Sequence, residues 1–148
     1  MSLKTILAGK ADTIISIEPA ADLATAAKLL STHHIGALLV LDGGGGLAGI
    51  LSERDIVRTM ANVGTRALRL PVAQVMTCEV STCDMNDSIS SVMDRMTKGK
   101  FRHMPVLDNG RLAGLVSIGD ALKWQIERVR EHLHQLELTI TELNLMKL

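Results

Sequence analysis

The sequence lacks several features that mark particular classes of function. Phe101 and Trp124 are its only aromatic residues, so a stacking platform for single-stranded nucleic acid is not expected. Acidic and basic residues balance at 16 each, which argues against the basic surface that non-specific nucleic-acid binding requires. No apolar run reaches the ~20 residues of a membrane span, and residues 1–4 do not begin a signal peptide. We therefore expect neither a nucleic acid nor a membrane as partner.

Cysteine is also scarce, with only Cys78 and Cys83. Two residues are too few for a disulfide scaffold, so a reducing cytoplasm is the expected location. Their spacing without a second pair favours buried thiols over a zinc site. The adjacent His33 and His34 are interpreted as polar surface at a helix end rather than as metal ligands. Since neither a phosphate-loop lysine motif nor an assignable catalytic triad is present, we expect no metal and no catalytic residue.

The most informative segment occurs twice, at residues 49–55 (GILSERD) and at residues 114–120 (GLVSIGD). Each copy reads Gly, two aliphatic residues, Ser, two variable residues and Asp. The aliphatic residues predict the end of a buried strand, and Ser-x-x-Asp predicts the first turn of a helix. Ser-x-x-Asp is also a capping box, which many helices have for stability alone. For a single copy that structural interpretation is favoured, whereas two copies at matched positions in a recognisable domain pair would favour a ligand site.

The repeat extends well beyond this segment. A spacing of 66 residues relates Ile14 to Val80 and Leu23 to Ile89, and it becomes 65 after the glycine loop at residues 42–46. One residue of slip, placed in a turn, is typical of duplicated units. A chain of 148 residues, 47% of them hydrophobic, can form two small domains that share a core.

Each unit is predicted to contain a strand, a helix, two strands and a second helix. After a short helix over residues 1–9, the first unit has strands at 14–17, 35–41 and 47–51 and helices at 23–32 and 52–63. The second has strands at 80–83, 101–107 and 112–116, a helix at 88–98 and a last helix from 117. Since each unit alone would expose an apolar sheet face, we expect the two to pack together.

Together these features resemble a tandem pair of cystathionine β-synthase (CBS) domains, also called a Bateman module. The resemblance rests on Met76-Thr77, on residues 102–108 (RHMPVLD) and on both Gly-x-x-Ser-x-x-Asp turns, and it covers about residues 8–126. It implies a mixed α/β (α+β) fold in which two CBS units, at 1–66 and 67–126, pack as a pseudo-twofold pair. It further implies a regulatory protein that binds an adenosine nucleotide (AMP, ADP, ATP or NAD(H)) in clefts between the units, with no catalytic cofactor and no catalysis.

The residue chemistry is compatible with that ligand. The serine of each turn lies at a helix N-terminus, where free N–H groups favour phosphate, and the aspartate can accept hydrogen bonds from ribose hydroxyls. Arg54, Arg102 and His103 could neutralise phosphates, and the first strand of each unit could enclose adenine. The predicted nucleotide-binding residues are Ile14, Ser16, Ile17, Gly36, Ala37, Ser52, Arg54, Asp55, Thr77, Val80, Thr82, Arg102, His103, Met104, Pro105, Ser117, Ile118, Gly119 and Asp120.

The two clefts are not expected to be equivalent. The second unit carries a cation pair and Pro105 before its buried strand, whereas the first has neither there. Conversely, the first unit has Arg54 where the second has Gly119. The first cleft is therefore expected to draw phosphate charge from Arg54, with Arg102 or His103 as candidates across the interface. The second site is the better supported of the two.

The C-terminal segment, residues 127–148, is predicted to continue the last helix. Apolar residues there step alternately by four and three positions, which is the seam of a coiled coil over three heptads. Part of the seam could pack on its own unit, but the rest requires a partner, so we expect a homodimer. An unidentified protein target would read the ligand state. The alternative function is a structural or adaptor module with empty clefts, acting through dimerisation and this helix. The seam comprises Leu122, Ile126, Val129, Leu133, Leu136, Ile140 and Leu143.

Overall fold

The computed structural model describes residues 3–9 and 14–148. The first half contains α1 (Leu3–Ala8), β1 (Ser16–Ile17), α2 (Leu23–His33), β2 (Ala37–Leu41), β3 (Leu47–Ser52) and α3 (Glu53–Val63). Two 3-10 helices, Gly64–Arg69 and Val72–Gln74, lead to the second half. That half contains β4 (Cys83–Asp84), α4 (Ile89–Gly99), β5 (His103–Asp108), β6 (Arg111–Ser117) and α5 (Ile118–Met146). The predicted order of elements, two β-α-β-β-α units and a long last helix, is confirmed.

Each unit forms a three-stranded sheet with the same topology. The strand orders are β1-β2-β3 and β4-β5-β6, with a parallel first pair and an antiparallel second pair. Ile17 pairs with Val40 in one sheet, and Cys83 pairs with Val106 in the other. Both pairs are related by the spacing of 66 residues. The predicted repeat is therefore confirmed at the level of strand register.

The first strand of each unit is shorter than predicted. Residues 14–17 and 80–83 were predicted as strands, but β1 and β4 contain two residues each and pair only with the adjacent strand. β-branched composition is a weak preference that a missing partner overrides. The residues before each short strand, including Ile14 and Val80, lie outside the sheet, where they can line a cavity. Residues 1 and 2 of the predicted first helix lie outside the described residues.

Side-chain caps set where two helices begin. The carboxylate of Asp22 accepts a hydrogen bond from the backbone N–H of Thr25 at 2.8 Å, and the hydroxyl of Ser88 accepts one from Ser91 at 3.1 Å. Such caps satisfy N–H groups that the helix itself leaves free. The Thr25 hydroxyl is the main cause of a lowered pKa of Asp22, and the Thr25 N–H adds to it.

The apolar interior consists of two clusters, one per unit. Leu23, Leu38 and Leu51 are among the fully buried residues of the first cluster, and Ile89 and Met104 are among those of the second.

None of the helices within residues 3–9 and 14–148 is both long and apolar enough to cross a lipid bilayer.

The segment that precedes each unit packs on the other unit. Leu3 and Ile6 of α1 are buried in the cluster of the second unit, although the sequence placed residues 1–9 with the first. Val72 and Ala67 of the connector before β4, which the sequence placed at the start of the second unit, are buried in the cluster of the first. Each core is therefore completed by the segment that leads into the other unit, which ties the two together.

Two glycines allow this exchange. A Cβ at Gly49 would lie 2.7 Å from the Met76 sulfur and 2.7 Å from the Thr77 carbonyl oxygen. A Cβ at Gly114 would lie 2.8 Å from a terminal methyl of Leu7. Both glycines open the repeated Gly-x-x-Ser-x-x-Asp segment, so its glycine is explained by the close approach of the crossing segment.

We predict that Gly49→Ala destabilises the fold more than Gly114→Ala. At Gly49 the new methyl meets a backbone oxygen, so the strand or connector must shift, at a cost of about 1–3 kcal/mol. At Gly114 it meets the flexible end of a leucine, which can change rotamer. Urea unfolding of both variants measures the difference. Gly43→Ala is the matched control, since nothing lies within 4 Å of that position, and equal losses at Gly49 and Gly114 would contradict the explanation.

We also predict that the two cysteines differ sharply in reactivity. Cys83 is buried and Cys78 is exposed. Burial raises the pKa of the Cys83 thiol to about 11, and the negative charge of Asp87 adds to the shift. Because the thiolate is the reactive form, a thiol reagent at pH 8 should modify one cysteine per native chain quickly and the second only after unfolding. Cys78→Ser should abolish the fast phase, and a fast phase that persists in this variant would overturn the assignment.

Candidate functional site

Both Ser-x-x-Asp turns are complete capping boxes. The Ser52 hydroxyl accepts a hydrogen bond from the Asp55 N–H at 3.2 Å, and the Asp55 carboxylate accepts one from the Ser52 N–H at 2.9 Å. The corresponding distances at Ser117 and Asp120 are 3.1 Å and 2.9 Å. Both copies of the motif therefore stabilise the start of a helix. A carboxylate can accept several hydrogen bonds through its two oxygens, so a cap and a ligand contact are compatible.

Each turn opens into a cavity between the two units. The larger, here called the Asp120 cavity, has a volume of about 690 Å³ and contains the second turn. The smaller, here called the Asp55 cavity, has a volume of about 310 Å³ and contains the first. Ile14, Ile15 and Ile35 of the first unit contribute apolar walls to the Asp120 cavity, and Val80 and Phe101 of the second contribute them to the Asp55 cavity. Each of these two cavities thus combines a turn from one unit with an apolar wall from the other.

The structure places most of the predicted nucleotide-binding residues along these cavities. In the Asp120 cavity they are Ile14, Gly36, Ala37, His103, Ser117 and Asp120. In the Asp55 cavity they are Gly36, Ala37, Ser52, Arg54, Asp55, Thr77, Val80, Arg102 and His103. Gly36, Ala37 and His103 border both cavities and separate one from the other.

The remaining predicted residues line neither cavity. Ile17 is buried in the core of the first unit and Met104 in that of the second, because alternate residues of a strand point to opposite faces of the sheet. The carbonyl of Pro105 accepts a hydrogen bond from the Cys83 thiol, and the carbonyl of Thr82 accepts one from Arg95. The others outside both cavities are Ser16, Ile118 and Gly119.

The two cavities differ in charge. Four basic residues line the Asp55 cavity (Arg54, Arg58, Lys100 and Arg102), together with the acidic residues Glu53, Asp55 and Glu79. Among the described residues, no lysine or arginine lines the Asp120 cavity, whose polar side chains are Ser117, Asp120 and three histidines. Arg102 therefore lies in the cavity of the first turn, across the interface, where it was one of two candidates for phosphate charge, and not in the cavity of the second turn.

Several cavity residues were not anticipated from the sequence. Arg58 follows Arg54 by one helical turn, so helical spacing places both on one face. His34 and Lys100 are 66 residues apart, both end a helix in the left-handed conformation, and each borders a cavity. Extending the repeat to helix ends would have found this pair. Ile15, next to the predicted Ile14, also lines the Asp120 cavity.

Comparison with known proteins agrees with this architecture. The family profile described as CBS domain matches residues 11–62 and again residues 72–127. The chain belongs to the CBS-domain family. CBS pairs are regulatory modules, and the two cavities lie at the interface between the CBS units.

Individual relatives share the fold or the sequence of this chain. The crystal structure of a CBS-domain protein from Agrobacterium tumefaciens is 40% identical, with a TM-score of 0.80 over 82% of this chain and 91% of that one. The CBS pair of protein MJ0100, solved with 5′-methylthioadenosine and S-adenosyl-L-methionine, is 26% identical, with a TM-score of 0.74 over 84% of this chain and 98% of that one. An uncharacterised 17.7 kDa protein of Acidianus ambivalens is 36% identical over 105 residues, 70% of this chain. The matched region spans 62% of the length of that relative.

We predict that the capping boxes of the CBS units stabilise the protein without any ligand. Ser52→Ala and Ser117→Ala each remove an acceptor for a helix N–H, which should lower the free energy of unfolding by about 0.5–2 kcal/mol. Asp55→Asn and Asp120→Asn should cost less, because the amide oxygen can still accept the serine N–H. Urea unfolding of ligand-free protein is the measurement, with Ser90→Ala on the exposed face of α4 as control. Serine variants as stable as the control would show that the caps contribute nothing.

Proposed function

We propose that this CBS pair is a non-catalytic sensor that binds adenosine nucleotides in its two inter-unit cavities. The observation that carries the proposal is the composition of each cavity. A Ser-x-x-Asp turn from one unit faces apolar side chains from the other, so a single ligand with a polar sugar and an apolar base would contact both units. Both cavity volumes lie within the range of about 300–1,000 Å³ that is usual for small-molecule sites.

The chemistry of each turn suits the ribose and phosphate of such a ligand. The aspartate carboxylate accepts hydrogen bonds from the ribose hydroxyls, and the helix N-terminus that follows the serine attracts negative charge. Adenine would pack on Ile14, Ile15 and Ile35 in the Asp120 cavity, and on Val80 and Ile50 in the Asp55 cavity. The related protein MJ0100 was solved with two ligands that contain adenosine, which supports this class of ligand here.

Because the two cavities differ in charge, each should prefer a different class of ligand. The basic side chains of the Asp55 cavity can compensate the phosphates of AMP, ATP or NAD(H). The Asp120 cavity offers three histidines and one carboxylate, and among the described residues no lysine or arginine lines it. It therefore suits an adenosyl ligand with little or no negative charge. Phosphorylated nucleotides should prefer the Asp55 cavity by electrostatics alone.

A ligand that touches both units would act on their relative orientation. Binding favours whichever arrangement gives the better contacts, so the population of conformations shifts by the difference in affinity. A protein partner would read the change, and a homodimer would carry it through two chains. The cytoplasm is the proposed location because both cysteines are free thiols, as expected in a reducing compartment.

One observation favours a second candidate, an adaptor that works without a ligand. The last helix exposes a row of large apolar side chains that its own unit does not cover. In an adaptor this row would be the working surface, and the cavities would have no regulatory role. Saturable nucleotide binding separates the two candidates.

Thermal unfolding against AMP, ADP, ATP, NAD, NADH, 5′-methylthioadenosine and S-adenosylmethionine tests the sensor. A ligand that binds only the folded state, at 100 times its Kd, should add about 2.7 kcal/mol and raise Tm. For phosphorylated ligands the rise should disappear in Asp55→Asn and weaken in Arg102→Gln. Arg111→Gln, at an exposed arginine outside both cavities, is the matched control. Ligands without phosphate should instead respond to Asp120→Asn.

The outcomes distinguish the three classes of function. If no ligand raises Tm, the adaptor is supported and the turns serve as helix caps alone. If a ligand binds and chromatography shows it converted to product, the protein is an enzyme. If Arg102→Gln and Arg111→Gln weaken binding equally, the charge assignment of the Asp55 cavity is wrong.

A further inference from the structure

The last helix leaves its domain soon after it begins. Only Ala121 of α5 is buried, and Trp124 is half-buried, whereas residues 125–148 are all exposed. The seven seam residues named above are each 46–57% exposed. A lone helix of this length holding such a row in water would gain little from packing, which is the usual source of helix stability in proteins. The seam therefore needs a partner.

The seam is complementary to itself when two copies run in opposite directions. Its alternating steps place Ile126, Leu133 and Ile140 at one heptad position and the other four at the second. With two α5 helices antiparallel about a point between residues 134 and 135, Ile126, Leu133 and Ile140 each meet a residue of the second class. Only Leu122 has no seam residue opposite it, because it lies opposite the partner's Lys147. Leu133 then lies opposite the partner's Leu136, and Ile126 lies opposite the partner's Leu143. A twofold interface requires this kind of reciprocal contact.

The charges beside the seam favour the same orientation. Arg130 and Glu137 occupy equivalent flanking positions one heptad apart. In the antiparallel register Arg130 lies beside the partner's Glu137, and by symmetry Glu137 lies beside the partner's Arg130. A parallel pair would instead place Arg130 beside a glutamine and Glu137 beside a histidine. Exposed ion pairs add little affinity, but they select register and orientation.

A groove at the start of α5 provides room for the end of the partner helix. It has a volume of about 460 Å³ and runs between the N-terminus of α4 and α5, with Ile89, Trp124, Val129 and Leu133 among its lining residues. In the antiparallel register the partner's Met146 would lie beside Gln125, at this groove. Met146 is 83% exposed in the single chain, so both surfaces would be covered by one contact.

We propose that α5 pairs antiparallel with α5 of a second copy of this chain, in the register that places Arg130 beside the partner's Glu137. The paired segment of about 25 residues spans about 38 Å, so the two CBS pairs lie at opposite ends of the helix pair. This inference does not depend on nucleotide binding.

Disulfide cross-linking of the full chain tests both partner and direction. In a Cys78→Ser background, Ile126→Cys and Leu143→Cys are prepared separately and then mixed under oxidising conditions. The mixture should give a cross-linked dimer and each variant alone should not, because equal positions in an antiparallel pair are about 25 Å apart and a disulfide needs about 4.4–6.8 Å between Cα atoms. Dimers from each variant alone would indicate a parallel pair and overturn the proposal. Absence of any cross-link in the mixture would also overturn it. Glu127→Cys in the same background is the control for cross-links that form by random collision.

Charge reversal tests the register. Arg130→Glu and Glu137→Arg should each weaken self-association at least 10-fold by sedimentation, because each creates two like-charge contacts, and the double variant should recover to within about threefold. Glu142→Arg makes the same change in charge as Glu137→Arg, but away from the seam, and it should have little effect on self-association. Failure of the double variant to recover would rule out this register. A mass of 16.0 kDa, that of one chain, for the wild-type protein at micromolar concentration would rule out the pair itself.

Discussion

The close crossing at Gly49 and Gly114 is the contact on which the rest of the structure depends. At Gly49 the connector passes so near β3 that Thr77 and Ile50 exchange backbone hydrogen bonds at 3.0 Å and 2.9 Å. The chain then runs directly along the Asp55 cavity as residues 77–81. At Gly114 the close approach is made by Leu7 of α1, and both Leu7 and Ile14 line the Asp120 cavity. The absence of a side chain at each glycine lets a segment that leads into one unit pass close to the other unit. The same segment completes a core and continues into the wall of a cavity.

The Ser-x-x-Asp turn has two roles that come from one physical cause. A helix N-terminus has N–H groups without partners inside the helix, and the serine and aspartate satisfy two of them in both units. The other N–H groups and the helix dipole give the same place its attraction for anions. Stability and ligand binding are therefore served by one segment, and removing the aspartate side chain affects both. Substitution by asparagine separates them, because the amide retains the acceptor and loses the charge.

Local chemistry made part of the candidate site predictable. The duplicated segment led to both turns, because residue type and spacing identify them, and the resemblance to a CBS pair led to the walls at Ile14 and Val80. The sequence left Arg102 and His103 as two candidates for the first cleft, because their placement depends on how the second unit faces the first. Ile17 and Met104 share strand composition with cavity residues, and only the direction of the side chain places them in the cores. The expectation that the second site is the stronger relied on Arg102, which lies in the other cavity.

The sequence by itself determined the repeat, the order of elements and the helix starts, because hydrophobic period and capping are local properties of a chain. It also determined the seam of α5, whose spacing needs no tertiary information. Only the tertiary structure decided that α1 completes the core of the second unit and that the cavities differ in charge. The tertiary structure also decided that β1 and β4 contain two residues each instead of the predicted four. These features depend on contacts between segments far apart in sequence, where the orientation of whole units decides which side chains meet.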